Sequence, residues 1–124
     1  MTDSNSSRRA ASFDPSVLEQ LARDTDVAVI PQVIDMFSID GNRHLTQIES
    51  ALESFDDKAL SEAVHALSGI AASCGLMQLS QSLNECENSL RGNDKEEGRA
   101  HARRALALAP SAFKLLFEYL KTLD

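Results

Sequence analysis

Three histidines, at positions 44, 65 and 101, and two cysteines, at 74 and 86, are the side chains of this 124-residue chain best suited to nucleophilic or metal chemistry. The patterns that usually surround catalytic residues are missing. There is no GxxxxGK[ST] phosphate loop, no HExxH helix and no GxSxG elbow, and the histidines are scattered over three segments. Cys74 and Cys86 stand twelve apart inside apolar periodic stretches with no CxxC pairing, which suits reduced core thiols better than a disulfide or a zinc site. His44 falls on the apolar side of its segment and reads as a packing residue. His101 lies in the charged run from Arg99 to Arg104 and reads as solvated.

His65 has a different setting. It belongs to Ala63-Val64-His65-Ala66-Leu67-Ser68-Gly69-Ile70-Ala71-Ala72-Ser73-Cys74-Gly75. On a helix, Val64, Leu67, Ala71 and Cys74 share the core side, while His65 lies one residue off that stripe, close to Ser61, Ser68, Gly69 and Ala72 at steps of three, four and seven. Solvent faces of helices normally carry Lys, Glu and Arg, which form helices better than glycine and serine do. An exposed imidazole among such small neighbours therefore reads as a docking site. Neutral imidazole is a good nucleophile near physiological pH, and its phosphorylated form is labile enough to pass the group onwards. Gly69, one turn from His65, lets another protein's backbone and its reacting aspartate come within bonding range. Phosphoryl transfer is mainly in-line positioning with charge stabilisation by a metal ion. The chain shows no metal site, so no cofactor of its own is expected and Mg²⁺ is expected in the partner.

The elements that would position this face are legible as helices. Phe13-Asp14-Pro15 opens a short helix ending near Asp24, with Asp14 as N-cap, Pro15 in the first helical position and Phe13 stapled onto Leu18. Ile30, Val33, Ile34, Phe37, Gly41, His44, Leu45, Ile48, Leu52 and Phe55 make one long stripe with steps of three and four, with a bend expected near Gly41. Asp56 caps the His65 helix, Phe55 and Leu60 are placed for a second staple, and Gly75 closes it. Leu76, Leu79, Leu83, Cys86 and Leu90 form the seam of the next helix, which stops at Arg91-Gly92-Asn93; the minimal connection makes these two helices antiparallel. Asp94 and Glu97 form a capping box for a last helix through Leu120, expected to kink or break near Ala109 because of Pro110.

The fold class is thus all-α, an up-and-down antiparallel four-helix bundle with a short extra N-terminal helix, over residues 13–124. Residues 1–12, rich in Ser, Asn and Arg without periodicity, read as a disordered tail. Composition agrees: 43% apolar residues with only 5% aromatics and no Trp suit aliphatic helix packing. A net charge of −7 disfavours nucleic acid and anionic lipid as partners. No apolar run is long enough to span a bilayer and the first residues lack the apolar core of a secretory signal, so the cytoplasm is the expected location.

The segment from His65 to Gly75 resembles the H-x-L-K-G-x-A-x-x-x-G signature of histidine-containing phosphotransfer (HPt) domains of bacterial phosphorelays, and the resemblance runs from about residue 13 to 121. It implies that His65 is the phosphoacceptor, taking the group from an aspartyl phosphate on the receiver domain of a hybrid sensor histidine kinase and passing it to the receiver of a response regulator. Such proteins act as monomeric phosphocarriers without kinase activity and bind no ATP. Ser61, Ser68, Gly69, Ala72 and Arg91 are the expected phosphate-site and docking residues. Ser68 stands where the family has a lysine, which removes a cation expected to hold the phosphoryl oxygens; Ser68 would give one hydrogen bond, and Arg91 or a partner's lysine the missing charge. The alternatives are a degenerate HPt-like adaptor that binds receivers or kinases without efficient transfer, and an unrelated helical adaptor in which His65 is incidental.

Overall fold

The computed structural model describes residues 13–123, in which five helices follow one another: α1 (Ser16–Asp24), α2 (Val29–Ser54), α3 (Asp57–Ser73), α4 (Met77–Arg91) and α5 (Lys95–Lys121). The disordered tail expected over residues 1–12 lies outside the described residues. Among the described residues there is no strand. The long helices α2 to α5 each pack against the next, α5 returns to α2, and α1 leans on α2, so the element order and class are those expected.

Apolar periodicity explains the packing. Ile30, Ile34, Phe37 and Ile48 of α2, Leu60, Val64 and Leu67 of α3, Leu79, Leu83 and Cys86 of α4 and Ala102, Ala105 and Leu116 of α5 are all buried in one cluster. Cys74 and Cys86 are free thiols inside it, and burial pushes both up to about 11. Asp56 and Asp94 cap α3 and α5 as expected, accepting from the amides of Ala59 and Glu97 at 3.1 Å each. At the other end, Phe13 packs on the Tyr119 ring at 5.4 Å, and the Asp14 amide donates to the Gly75 carbonyl at 2.7 Å. The Asp14 carboxylate accepts from the hydroxyl and amide of Ser16, bonds that hold it below the usual carboxylate range.

The turn between α3 and α4 is what sets their register. The Leu76 amide donates back to the Ala71 carbonyl and the Gly75 amide to that of Ala72, a two-bond helix stop that requires a left-handed residue at Gly75, whose φ is +78°. Any Cβ there would also run into the Asp14 carbonyl oxygen, so glycine is demanded twice. The same stop closes α2 at Phe55 (φ 54°) and α4 at Asn93 (φ 66°), without glycine.

Three local expectations change. Phe55 is exposed rather than stapled onto Leu60; its left-handed backbone turns the ring out of the α2 stripe and under the Arg99 guanidinium, 5.0 Å from the ring centre. The last helix does not break at Pro110: α5 runs through it. Pro110 is exposed while Ala105, Ala109, Ala112 and Leu116 are buried, so packing on one side outweighs the roughly 3 kcal/mol that an interior proline costs. His101 is not solvated. Its side chain is 14% exposed, with Nδ1 3.3 Å from a Glu85 oxygen and Nε2 3.6 Å from one of Glu97. At Gly41, α2 continues as the one long helix expected, and the missing side chain leaves room for the Phe113 ring, whose centre lies 4.8 Å from that of Phe37 at a tilt of 49°.

Candidate functional site

On α3 the buried side is Leu60, Val64, Leu67 and Ala71, and the phase of the helix leaves His65 outward with a side chain 77% exposed. Gly69 and Ala72 share its exposed face, and a Cβ built on Gly69 would meet nothing within 4 Å. Ser61 is half-buried one turn before the histidine. The surface around the ring is low.

What holds the ring comes from α4. Nδ1 of His65 lies 2.9 Å from Oε2 of Glu87, and Nη2 of Arg91 lies 3.3 Å from the same oxygen. A carboxylate only accepts, so the bonded Nδ1 carries a proton, and in the neutral ring the lone pair belongs to Nε2. Glu87 is itself 15% exposed, which makes it a fixed point rather than a waving surface acid. The arrangement follows from antiparallel helices of matched phase: His65 sits one residue off the α3 core stripe and Glu87 one residue off the Cys86 position of the α4 seam, so the two flanks meet. Beside the pair, a hollow of about 340 Å³ is lined by Lys58, Ser61, Glu87, Arg91 and Lys95.

Ser68 is not on this face. Three residues along a helix leave a side chain about 60° round from its starting direction, and for Ser68 that rotation leads into the α3–α4 contact. It is 6% exposed and its hydroxyl donates to Oδ1 of Asn84 at 2.6 Å. Its proton is committed to α4, so the hydrogen bond to phosphoryl oxygens expected of Ser68 is corrected by its burial. His44 belongs to α2 and is paired with Gln47 through Nδ1 at 2.9 Å. Among the described residues no group of three or more His, Cys, Asp or Glu is arranged to hold a metal ion.

The family model described as the Hpt domain matches residues 32–123, most of the chain. The chain belongs to the Hpt domain family. No curated protein and no solved structure matches it. Hpt domains are phosphocarrier modules of two-component phosphorelays, not kinases, and they engage receiver domains. The match covers the whole of α3, α4 and α5 and nearly all of α2, and leaves out α1. No helix among the described residues is long and apolar enough to cross a membrane.

Two residues bonded to this stretch of α3, Glu87 to His65 and Asn84 to Ser68, have no signal in the α3 sequence. The spacing Glu87–Arg91, four apart with the cation C-terminal, was a readable helix pair. Its connection to His65, 22 positions earlier, depended on the relative rotation of α3 and α4, which no single-helix pattern contains.

Proposed function

We propose that His65 is the residue of this Hpt domain that carries the phosphoryl group, accepting it at Nε2 from the aspartyl phosphate of a receiver domain in a hybrid sensor histidine kinase and passing it to a response regulator. The Nε2 lone pair attacks phosphorus, the N–P bond forms, the O–P bond breaks and the aspartate carboxylate departs with its electron pair. The ring keeps its Nδ1 proton and so becomes cationic, and the Glu87 carboxylate beside that proton offsets the new charge. The reverse step, onto a second receiver's aspartate, restores the neutral ring. The divalent ion that neutralises the phosphoryl oxygens comes with the receiver.

The observation that carries this reading is the pairing of Nδ1 with Glu87 on a ring that is 77% exposed, which fixes the tautomer and leaves the nucleophilic nitrogen open. Gly69, Ala72 and Ser61 serve as the low ground on which the receiver settles. The module is the helical unit from residue 13, acting as a cytoplasmic monomer. A second reading, an adaptor that binds receivers without transferring phosphate, draws on Ser68, since the motif position of the lysine holds a buried hydroxyl instead of a cation.

Incubation with a receiver domain charged by acetyl phosphate separates the two. Transfer places an acid-labile, base-stable label on the wild-type chain and none on His65→Gln. Label persisting in His65→Gln refutes the assignment, and binding without label establishes the adaptor.

A further inference from the structure

The exposed cation tied to the His65 pair is Arg91, and its tie is a single one. Nη2 of Arg91 and Nδ1 of His65 share one oxygen of Glu87, at 3.3 and 2.9 Å. Contrast Arg99, which grips both oxygens of Asp57, at 3.1 and 2.9 Å, and has a side chain 19% exposed. Arg91 is 73% exposed and has no other ion-pair partner among the described residues. One of these guanidiniums is locked and the other is loosely parked.

The shared oxygen makes the parking conditional. While the ring is neutral, Glu87 serves one proton donor and one cation without conflict. Once Nε2 bears a phosphoryl group and the ring retains its Nδ1 proton, two cations face the same oxygen and repel each other. At the same time a dianionic group with three acceptor oxygens stands on the far side of the ring, and the planar guanidinium fork matches such a group better than it matches half a carboxylate. Ser68 is buried and bonded to Asn84, and gives that group no contact. Lys58 and Lys95 line the same hollow as Arg91, together with the carboxylates of Asp57 and Glu87, and have no ion pair among the described residues.

We propose that Arg91 is a phosphoryl clamp that changes partners, leaving Glu87 for the oxygens of the group on His65 when the chain is charged. The inference rests on His65 as the phosphoacceptor and adds the residue that holds the charged state. It gives the α4 C-terminus the role left open by a serine at position 68.

Potassium phosphoramidate tests it without a partner protein. This small donor loses ammonia as its P–N bond breaks and the Nε2–P bond forms, so an exposed imidazole is charged directly. On charging, the Arg91 Nε–H resonance of ¹⁵N-labelled protein is expected to shift in step with the appearance of the ³¹P signal, while that of Arg99 stays in place. In Arg91→Gln the phosphoryl oxygens are expected to bind a proton about threefold more tightly, read from the ³¹P titration, with partial return in Arg91→Lys. An Arg91 resonance that does not move on charging, or an Arg91→Gln titration identical to wild type, overturns the clamp. Failure of charged receivers to label His65 is a separate result that overturns the functional reading alone, because phosphoramidate charges the ring whichever protein does so in the cell.

Discussion

Substituting Gln for Glu87 leaves an acceptor oxygen for the Nδ1 proton of His65 and removes only the charge, so it isolates the electrostatic part of the site. The separation is 2.9 Å. At that distance a unit charge is worth about 1.4 kcal/mol in bulk water and about four times as much at the effective dielectric of partly buried pairs. The ring is 77% exposed, so the lower figure applies. About 1.4 kcal/mol corresponds to a factor of ten in an equilibrium constant. The term acts on the cationic, phosphorylated ring and hardly at all on the neutral one. Glu87→Gln is therefore expected to move the transfer equilibrium about tenfold back towards the receiver, with the receiver concentration for half-maximal binding unchanged within twofold. The assay is label partition between the chain and a receiver charged by acetyl phosphate, with thermal unfolding followed in parallel. An unchanged partition in a folded variant refutes the argument that Glu87 stabilises the charged ring; a partition shift accompanied by an equal loss of binding refutes its separation from docking.

Other expectations follow from the same geometry. Gly69→Arg should abolish receiver binding while leaving helicity and the unfolding midpoint intact, since a Cβ at that position meets nothing within 4 Å; circular dichroism and titration calorimetry check the two halves. Ser68→Ala should lower stability by about 1 kcal/mol through loss of the hydrogen bond to Asn84 and leave phosphotransfer unchanged, measured by urea unfolding and the label assay. Asn93→Gly should raise stability by about 1 kcal/mol, because a non-glycine residue at φ 66° pays for its left-handed backbone and glycine does not. Cys74 and Cys86, raised to about 11 by burial, bind their protons more tightly folded than unfolded; the urea midpoint should hold below pH 9 and fall between pH 9 and 11, and both thiols should resist alkylation at pH 8 in the native state.

The parts of this structure that could be read from sequence are those governed by one helix at a time. The α3 stripe of Val64, Leu67 and Ala71 determined that His65 would point outward, and Asp56, Asp94 and Gly75 marked helix ends at which the structure does stop or start. Where reading failed, a second element intervened. The local cost of Pro110 predicts a break, but the alanines around it are buried and α5 runs through whole. His101 was judged by its charged neighbours in the chain, yet α4 supplies Glu85 and covers it. Phe55 was counted with the apolar stripe of α2, yet a left-handed stop rotates it away towards Arg99 of α5.

The same distinction divides the site itself. Proximity to His65 along α3 means a shared open face for Gly69 and not for Ser68, because positions three and four residues on lie on opposite flanks of the direction in which the histidine points. The flank carrying Ser68 is the one that α4 covers, and from it α4 returns Glu87 to the ring and Asn84 to the serine. A small residue one turn from an exposed histidine is thus open or sealed according to which side the next helix occupies. That side is set by the turn at Gly75, whose left-handed backbone and contact with Asp14 fix the path from α3 into α4. The pairing of His65 with Glu87 consequently depends on the path of the chain through a glycine ten residues away, because that turn sets which flank of α3 the α4 helix covers.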